Sequence, residues 1–195
     1  MSKHLGPEPW NHLPGGRSPA PGPLRLVQAL VNTTNLESGQ DAIEDAAGLR
    51  IWLTQHELIS SRARVTGQDA QRARELREAL RRLLMANAGE AGAVDPLRVI
   101  GPAADRAGLT LGVRDGGRLE LQPRAGGVDG AFGRILAAAH AAMLDGTWRR
   151  LKACRNHGCH WAFYDRSKNL SGSWCAMEIC GNRRKTRAYR QRRRA

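Results

Sequence analysis

The sequence lacks the features that would place a protein in a membrane, in a secretory route or among the common enzymes. No uninterrupted apolar run approaches the roughly 20 residues of a transmembrane helix. The N-terminus has no charged segment, apolar stretch and cleavage site of a secretory signal. The N-terminal part contains no Gly-rich phosphate loop, nucleophile motif or histidine pair at metal spacing. We therefore expect a soluble, cytoplasmic protein that is not an enzyme and has no membrane partner.

Acidic residues are scarce at the C-terminal end, and this scarcity makes the charge distribution uneven. Residues 151–195 contain twelve of the 31 Lys and Arg residues but two of the 18 Asp and Glu residues, a net charge of +10 out of +13. The first 150 residues carry the remaining +3, an ordinary balance for a folded domain. A concentrated basic segment favours a polyanionic partner, either nucleic acid or an anionic membrane surface. A solvated or disordered tail is the alternative interpretation.

Three regions follow from the composition along the chain. Residues 1–23 contain six prolines and four glycines, a composition that predicts a disordered lead. Residues 24–147 are predicted to form a mostly helical domain with one β-hairpin. Residues 148–195 are predicted to form a small zinc module that consists of a zinc knuckle, a β-hairpin and a basic helix. The predicted fold class is therefore α+β and mainly helical.

Apolar spacing and capping residues locate the elements of the helical domain. The first helix is indicated by Leu24, Val27, Leu30 and Val31, and the second by Leu49, Trp52, Leu53 and His56. The third runs from about Gly67 to Asn87, because Thr66 and Asp69 resemble a capping box and Gly89 follows its end. The alternating segment 109–121 around Asp115-Gly116-Gly117 predicts a hairpin. A last helix, capped by Asp129, presents Phe132, Ile135, Leu136, Ala139 and Met143 on one face and ends at Gly146.

All four cysteines lie within 27 residues, in two pairs with the same spacing: Cys154-x4-Cys159 and Cys175-x4-Cys180. Two such pairs joined by a loop are typical of four thiolates on one zinc ion. Disulfides are disfavoured in a reducing cytoplasm, and the tighter spacing of iron–sulfur proteins is missing. His157 and His160 flank the first pair, and either could replace a sulfur. We expect Gly158 to supply a left-handed turn in the loop between Cys154 and Cys159.

A site with four thiolates has no open position for water or substrate, so one Zn²⁺ ion would be structural. Between the pairs we expect a strand at 160–165, a turn at 166–173 and a returning strand from Trp174. The aromatic side chains of Trp161, Phe163 and Trp174 would supply most of the core of this module, because so small a unit has few other apolar residues. Base stacking is the alternative role for them.

The basic residues after the last cysteine predict a nucleic-acid contact. In a helix that starts near Cys180, the spacing 4, 3, 4 places Arg183, Arg187, Arg190 and Arg194 on one face. The neighbouring Arg184 and Lys185 add to the same positive surface. Such a helix could neutralise several phosphates of duplex DNA, and RNA would also suit it.

The stretch from Leu151 to Lys185 resembles the bacterial CGNR zinc-finger proteins, named for the tetrad that stands here at 180–183. The segment Leu26 to Asn32 and the pair Trp52-Leu53 are similar to the stress-associated ABATE domain that usually precedes that finger. The resemblance implies a stress-induced transcription regulator that binds DNA through its zinc module. Carried over by position, it assigns the metal ligands to Cys154, Cys159, Cys175 and Cys180, with Asn182 and Arg183 completing the signature.

The function expected from the sequence is a zinc-dependent DNA-binding regulator associated with the nucleoid. The helical domain would serve an unidentified effector or a homodimer. The alternative is an RNA-binding or ribosome-associated zinc protein.

Overall fold

The computed structural model of the chain describes residues 17–90, 95–114 and 116–182. Five α-helices lie in these residues: α1 (Leu24–Val31), α2 (Ala46–Gln55), α3 (Gly67–Asn87), α4 (Leu97–Ala107) and α5 (Gly127–Leu144). A 3-10 helix (Thr147–Arg150) follows α5. Six strands form three antiparallel pairs: β1 (Thr34–Asn35) with β2 (Gln40–Asp41), β3 (Leu109–Arg114) with β4 (Arg118–Pro123), and β5 (Leu151–Ala153) with β6 (Ala162–Tyr164). The predicted class, α+β and mainly helical, is confirmed. No helix among the described residues is long and apolar enough to cross a bilayer.

Helix α3 has the predicted bounds because the predicted capping box forms. The Thr66 hydroxyl accepts a hydrogen bond from the Asp69 amide at 3.2 Å, and the Asp69 carboxylate accepts one from the Thr66 amide at 2.8 Å. Two donors that the helix leaves unpaired are therefore satisfied. The apolar residues of the helix that recur at spacings of three and four face the core: Ala73, Leu76, Leu80 and Leu84 are buried, and Leu83 is partly buried.

The first two helices also form where the apolar spacing placed them. In α1, Val27, Leu30 and Val31 are fully buried, and in α2 the same holds for Leu49, Trp52 and Leu53. The β3–β4 hairpin is confirmed as well: Leu111 faces Leu121 across the pair. Its turn includes Gly116 and Gly117, which have φ of 82° and 75°, values that glycine adopts without strain.

The start of α5 differs from the prediction. The helix begins at Gly127 with Gly126 as its cap, so Asp129 lies in the first turn and is not the cap. Its carboxylate instead accepts a hydrogen bond from Arg72 at 2.6 Å. The predicted apolar face is buried up to Ala139, but Met143 is half exposed because it lies in the last turn.

Helix α4 and the short β1–β2 pair were not predicted from the sequence. Helix α4 contains Pro102, and its cap, Pro96, makes no side-chain cap hydrogen bond. Both features are typical of loops, and Ala103 and Ala107 are the residues of α4 that are buried. Tertiary packing against α3 and α5 therefore outweighs the local signals.

Within residues 17–23, which the composition predicted as part of a disordered lead, Arg17 and Ala20 make defined contacts with the fold. The Ala20 amide donates to the Gln28 side chain at 2.7 Å, and Ala20 is buried. The Arg17 guanidinium lies 4.8 Å from the ring centroid of Phe163 and donates to the Trp174 carbonyl at 3.0 Å. The partners are distant in sequence, so local composition did not reveal them. Residues 1–16 lie outside the described residues.

The main core extends from the helices into the β5–β6 hairpin. Leu151, Ala153, Ala162 and Tyr164 belong to the same buried cluster as the helical side chains. Successive residues of a strand point to opposite faces, and the other face of β6 places Phe163 in a second cluster with the cysteines. One hairpin thus joins the helical core to the cysteine-bearing region.

Candidate metal centre

The first cysteine pair lies in the turn of the β5–β6 hairpin. The Cys154 amide donates to the Trp161 carbonyl at 3.0 Å, and the Cys159 amide donates to the Asn156 carbonyl at 2.7 Å. The left-handed residue in this turn is His160, with φ of 47°, and Gly158 is not left-handed, contrary to the prediction. The Asn156 carbonyl accepts hydrogen bonds from the amides of Cys159 and His160, so the turn spans 156–160 and its left-handed residue comes last.

The second pair is held without a strand, so the predicted returning strand from Trp174 is wrong. Strand β6 pairs with β5, which precedes the first cysteine pair, and not with a later strand. Trp174 lies in an irregular segment. A π-helical turn over Met177–Gly181 then carries Cys180, whose amide donates to the Ala176 carbonyl at 3.0 Å. This turn folds the chain back and directs the Cys180 sulfur towards the other three.

The four cysteine sulfurs lie within 4.8 Å of one another. The Sγ atoms of Cys159 and Cys175 are 3.7 Å apart, and those of Cys175 and Cys180 are 3.6 Å apart. Four sulfurs at about 2.3 Å from a tetrahedral zinc ion would be separated by about 3.8 Å. None of the four cysteines forms a disulfide. The distances and the donor set fit one structural Zn²⁺ ion, as predicted.

The crowded thiols resist complete ionisation on their own. Hydrogen bonds from Cys159 and Cys175 lower the pKa of Cys154 to about 2, whereas the bond to Cys154 raises the pKa of Cys159 to about 12. The pKa of Cys175 is also raised, because hydrogen bonding to Cys154 and Cys159 favours its protonated form. Four thiolates so close together repel one another, and a divalent cation offsets their charge. This is the chemistry of a metal-binding cluster.

The two histidines that flank the first pair do not join the cluster. Among the described residues, the group able to hold a metal consists of the four cysteines. The rings of His157 and His160 instead lie edge to face with centroids 5.8 Å apart. Asn156 contributes a polar contact that the sequence analysis missed: its side-chain amide donates to the Cys180 sulfur at 3.4 Å. Such hydrogen bonds orient ligands and stabilise thiolate charge.

The side chains proposed as the core of the module differ in their burial. Trp161 and Phe163 are buried in the cluster with Cys154, Cys175 and Cys180. Trp174 packs on the edge of that cluster and is half-buried. The aromatic side chains thus shield the sulfurs from water on one side.

A buried ion pair that the sequence analysis did not identify organises the loop between the cysteine pairs. Lys152 and Asp165 are 2.8 Å apart and almost completely buried. The carboxylate also accepts hydrogen bonds from the amides of Ser167 and Gly172. Burial opposes ionisation of Asp165, but hydrogen bonds from Lys152 and Ser167 lower its pKa to about 2. At Gly172 a Cβ would lie 2.7 Å from the carboxyl carbon of Asp165, so a side chain there would disrupt the ion pair and the hydrogen bonds to its carboxylate.

Two helices hold the knuckle from the other side. The Asn32 side chain accepts from the Ala162 amide at 2.7 Å and donates to the Ala162 carbonyl at 3.0 Å, as a neighbouring strand would. Arg81 of α3 donates to the His160 carbonyl at 3.0 Å and to the Val31 carbonyl at 2.8 Å. Buried carbonyl and amide groups of the knuckle are therefore satisfied by side chains of the helical domain. A lone asparagine after a helix gives no sign of this role in the sequence.

The residues predicted to contact nucleic acid lie outside the described residues: Arg183, Arg184, Lys185, Arg187, Arg190 and Arg194. The last described residue is Asn182, with helical dihedrals of φ −69° and ψ −38°. Its side-chain amide donates to the Glu178 carbonyl at 3.4 Å, four residues earlier.

Two family models match the chain, and no curated protein does. Residues 150–193 match the CGNR zinc finger, a stretch that includes all four sulfur ligands. Residues 24–147 match the ABATE model, described as "Putative stress-induced transcription regulator", a stretch that includes Asn32 and Arg81. The second match spans more than half of the chain. The chain therefore belongs to the ABATE family and carries a CGNR zinc finger that holds one structural zinc ion.

Proposed function

We propose that the protein is a DNA-binding transcription regulator in which the zinc cage anchors the basic C-terminal segment as a rigid helix. The observation that supports this most directly is the position of the last ligand. Cys180 lies in a turn fixed by the cluster, and the backbone at Asn182 is already helical immediately before the basic residues. A helix continued from this point would start from a fixed position and direction.

The charge of that segment suits duplex DNA. Residues 183–195 contain eight Arg and Lys residues and no acidic residue. In a helix, the face formed by Arg183, Arg187, Arg190 and Arg194 would span about 60°. Each phosphate contact would contribute about −0.9 to the slope of log K against log salt. Guanidinium groups also pair with guanine in the major groove, so some of these residues could read sequence.

The loop clamped by Lys152 and Asp165 extends the proposed surface. It presents Arg166 and Lys168, both exposed. Lys168 has no hydrogen bond or ion pair with any other described residue, so its charge is available to a phosphate. The same proposal places the protein with chromosomal DNA in the bacterial cytoplasm and assigns it no catalytic step.

The test is the double variant Arg187→Ala/Arg190→Ala, measured by fluorescence anisotropy on a 20-base-pair duplex over a series of salt concentrations. Removing two phosphate contacts should weaken binding and reduce the magnitude of the salt slope by about 1.8. The matched control is Arg62→Ala/Arg64→Ala, which removes the same charge from exposed positions between α2 and α3. Equal effects of both double variants, or none from the first, would refute the helix-face assignment.

A competition experiment addresses the RNA alternative, which the zinc knuckle and arginines alone do not exclude. Unlabelled duplex DNA and a structured RNA of equal length are titrated against the labelled complex at fixed salt. The proposal predicts that the DNA displaces the probe at lower concentration. Displacement by RNA at lower concentration would favour the ribosome-associated function instead.

A further inference from the structure

The β3–β4 hairpin has an apolar face that is packed at its base and exposed further out. At the base, the face lies on α5 at Gly133, where a Cβ would be 2.7 Å from the Pro123 side chain and 3.4 Å from that of Leu109. Alternate residues of a strand share a face, so the same face continues outward with largely exposed side chains: Leu111 (64%), Val113 (68%) and Leu119 (67%). Neighbouring exposed apolar side chains of this kind are typical of an interaction site.

Strand β3 is the open edge of this two-stranded sheet. Among the described residues, β3 pairs with β4 and with no other strand. Helix α5 packs against β4, and no described helix covers β3 to a comparable extent. Residues 109–113 contain no charged residue and no proline, and their register with β4 has no bulge. These are the features that protect an edge strand in natural proteins, and an edge without them is a template for pairing with another strand.

The phase of the β3–β4 ladder determines which backbone groups of β3 lie at the open edge. The Arg124 amide donates to the Gly108 carbonyl at 3.3 Å, immediately before the first residue of β3. Hydrogen-bonded and non-hydrogen-bonded pairs alternate along an antiparallel ladder, so every second residue after Gly108 bonds to β4. The residues between them direct their amide and carbonyl groups away from β4: Leu109, Leu111 and Val113.

We propose that β3 pairs with β3 of a second copy of the chain, antiparallel and centred on Leu111, to form a four-stranded sheet in a symmetric homodimer. In this register Leu111 lies opposite Leu111 and Leu109 lies opposite Val113, so all three outward-facing residues of each strand bond to the other copy. A shift by two residues would lose one of these pairs. A shift by one residue would place outward-facing groups opposite groups already bonded to β4. The exposed parts of the two apolar faces then lie side by side on the same face of the sheet.

The charge of the chain favours this segment as the contact between two copies. With a net charge of +13, two copies repel one another over most of their surface, and residues 109–113 carry no charge. In the proposed register Arg114 lies opposite Gly108 of the second copy, so the two arginines are at opposite ends of the pairing.

The dimer should be weak, because one strand pair buries less than the roughly 800 Å² per partner of stable complexes. We therefore expect a Kd in the micromolar range. The dimer does not depend on the proposed function, and it can be tested without DNA. It would give one assembly two basic C-terminal segments.

The test is sedimentation velocity of the zinc-loaded full chain at concentrations from about 1 to about 200 µM. The expected result is a reversible change from monomer to dimer across this range. The Leu111→Lys variant should raise the dimer Kd at least about ten-fold, because it places two like charges opposite one another on the symmetry axis. The matched control, Leu144→Lys, makes the same change at an exposed leucine in the last turn of α5 and should leave the Kd unchanged.

A second variant, Val113→Pro, tests the backbone edge. The Val113 amide faces away from β4, so proline removes a donor to the second copy and none to β4. The thermal unfolding of the monomer should therefore change little, while the dimer Kd rises.

The register is tested by Leu111→Cys. Hydrogen-bonded residues in an antiparallel pair have Cα atoms about 5.5 Å apart, which a disulfide can span. Mild oxidation of the zinc-loaded variant should therefore give a covalent dimer. The comparison, Leu119→Cys, changes an equally exposed leucine on β4, which would lie at the outside of the four-stranded sheet. It should cross-link far less.

The proposal is overturned if the chain stays monomeric up to about 200 µM, or if Leu111→Lys and Leu144→Lys have the same effect. It is also overturned if Val113→Pro leaves the dimer Kd unchanged, or if Leu119→Cys cross-links as readily as Leu111→Cys.

Discussion

Single side chains of the helical domain determine how the zinc knuckle is held. Asn32 is the most direct example, because its one carboxamide satisfies both the amide and, with Gln28, the carbonyl of Ala162. Asn32 and Ala162 are buried, so removing the asparagine leaves the Ala162 amide without a partner and its carbonyl with Gln28 alone.

The Asn32→Ala variant should therefore be destabilised by about 2 to 3 kcal/mol in urea unfolding of the zinc-loaded protein. The comparison is Asn169→Ala, an exposed asparagine in the loop between the cysteine pairs that makes no side-chain hydrogen bond with a described residue. This control should stay within about 0.5 kcal/mol of the parent. A loss at Asn32 no larger than that at Asn169 would show that the carboxamide does not join the two regions.

Local elements differ in how well the sequence predicted them. Helix α3 and the β3–β4 hairpin were predicted because a capping box and an Asp-Gly-Gly turn act through neighbours in the chain. Helix α4 was missed because its helical state depends on packing that overrides an internal proline. The cysteine spacing likewise predicted the cluster. The prediction that the strand now seen as β6 pairs with a strand from Trp174 was wrong, because cysteine spacing carries no information about strand pairing. Asn32, Arg81 and the Lys152–Asp165 pair act over long sequence separations, which no local pattern indicates.

The loop between the cysteine pairs is an element held by one buried ion pair. The pKa of Asp165 is lower in the fold than its ordinary value, so its ionised form stabilises the protein above pH of about 3.9, and this contribution is lost as the pH falls towards 2. At pH 7 the contribution is fully present.

The Asp165→Asn variant at pH 7 should lose about 3 kcal/mol of unfolding free energy, because Lys152 is left buried with its charge unpaired. Thermal and urea unfolding measure this loss. As a control, Asp105→Asn removes an exposed carboxylate from α4 that pairs with no described residue, and it should change little. Adding Lys152→Met to Asp165→Asn should recover part of the loss. If the double variant is no more stable than Asp165→Asn alone, the unpaired charge is not the cause.

Over the whole molecule, the zinc module is continuous with the helical domain. The β5–β6 hairpin places one face in the helical core and the other against the sulfurs. Asn32, which caps the end of α1, and Arg81 of α3 bind the knuckle backbone. A cleft of about 440 Å³ opens at the same junction. A change at the metal site would therefore alter the contacts between the zinc module and the helical domain. The basic segment begins three residues after the last ligand, Cys180.

The most direct test of the account is the affinity for duplex DNA of the zinc-loaded protein, the protein after chelation, and the chelated protein after zinc is restored. Metal content is measured by native mass spectrometry. The account predicts one zinc per chain and a loss of affinity of at least about ten-fold on chelation, because a helix held in place becomes a segment that must be ordered on binding. Restored zinc should recover the affinity. Unchanged DNA binding by the zinc-free protein would contradict the claim that the sulfur cage positions the basic segment.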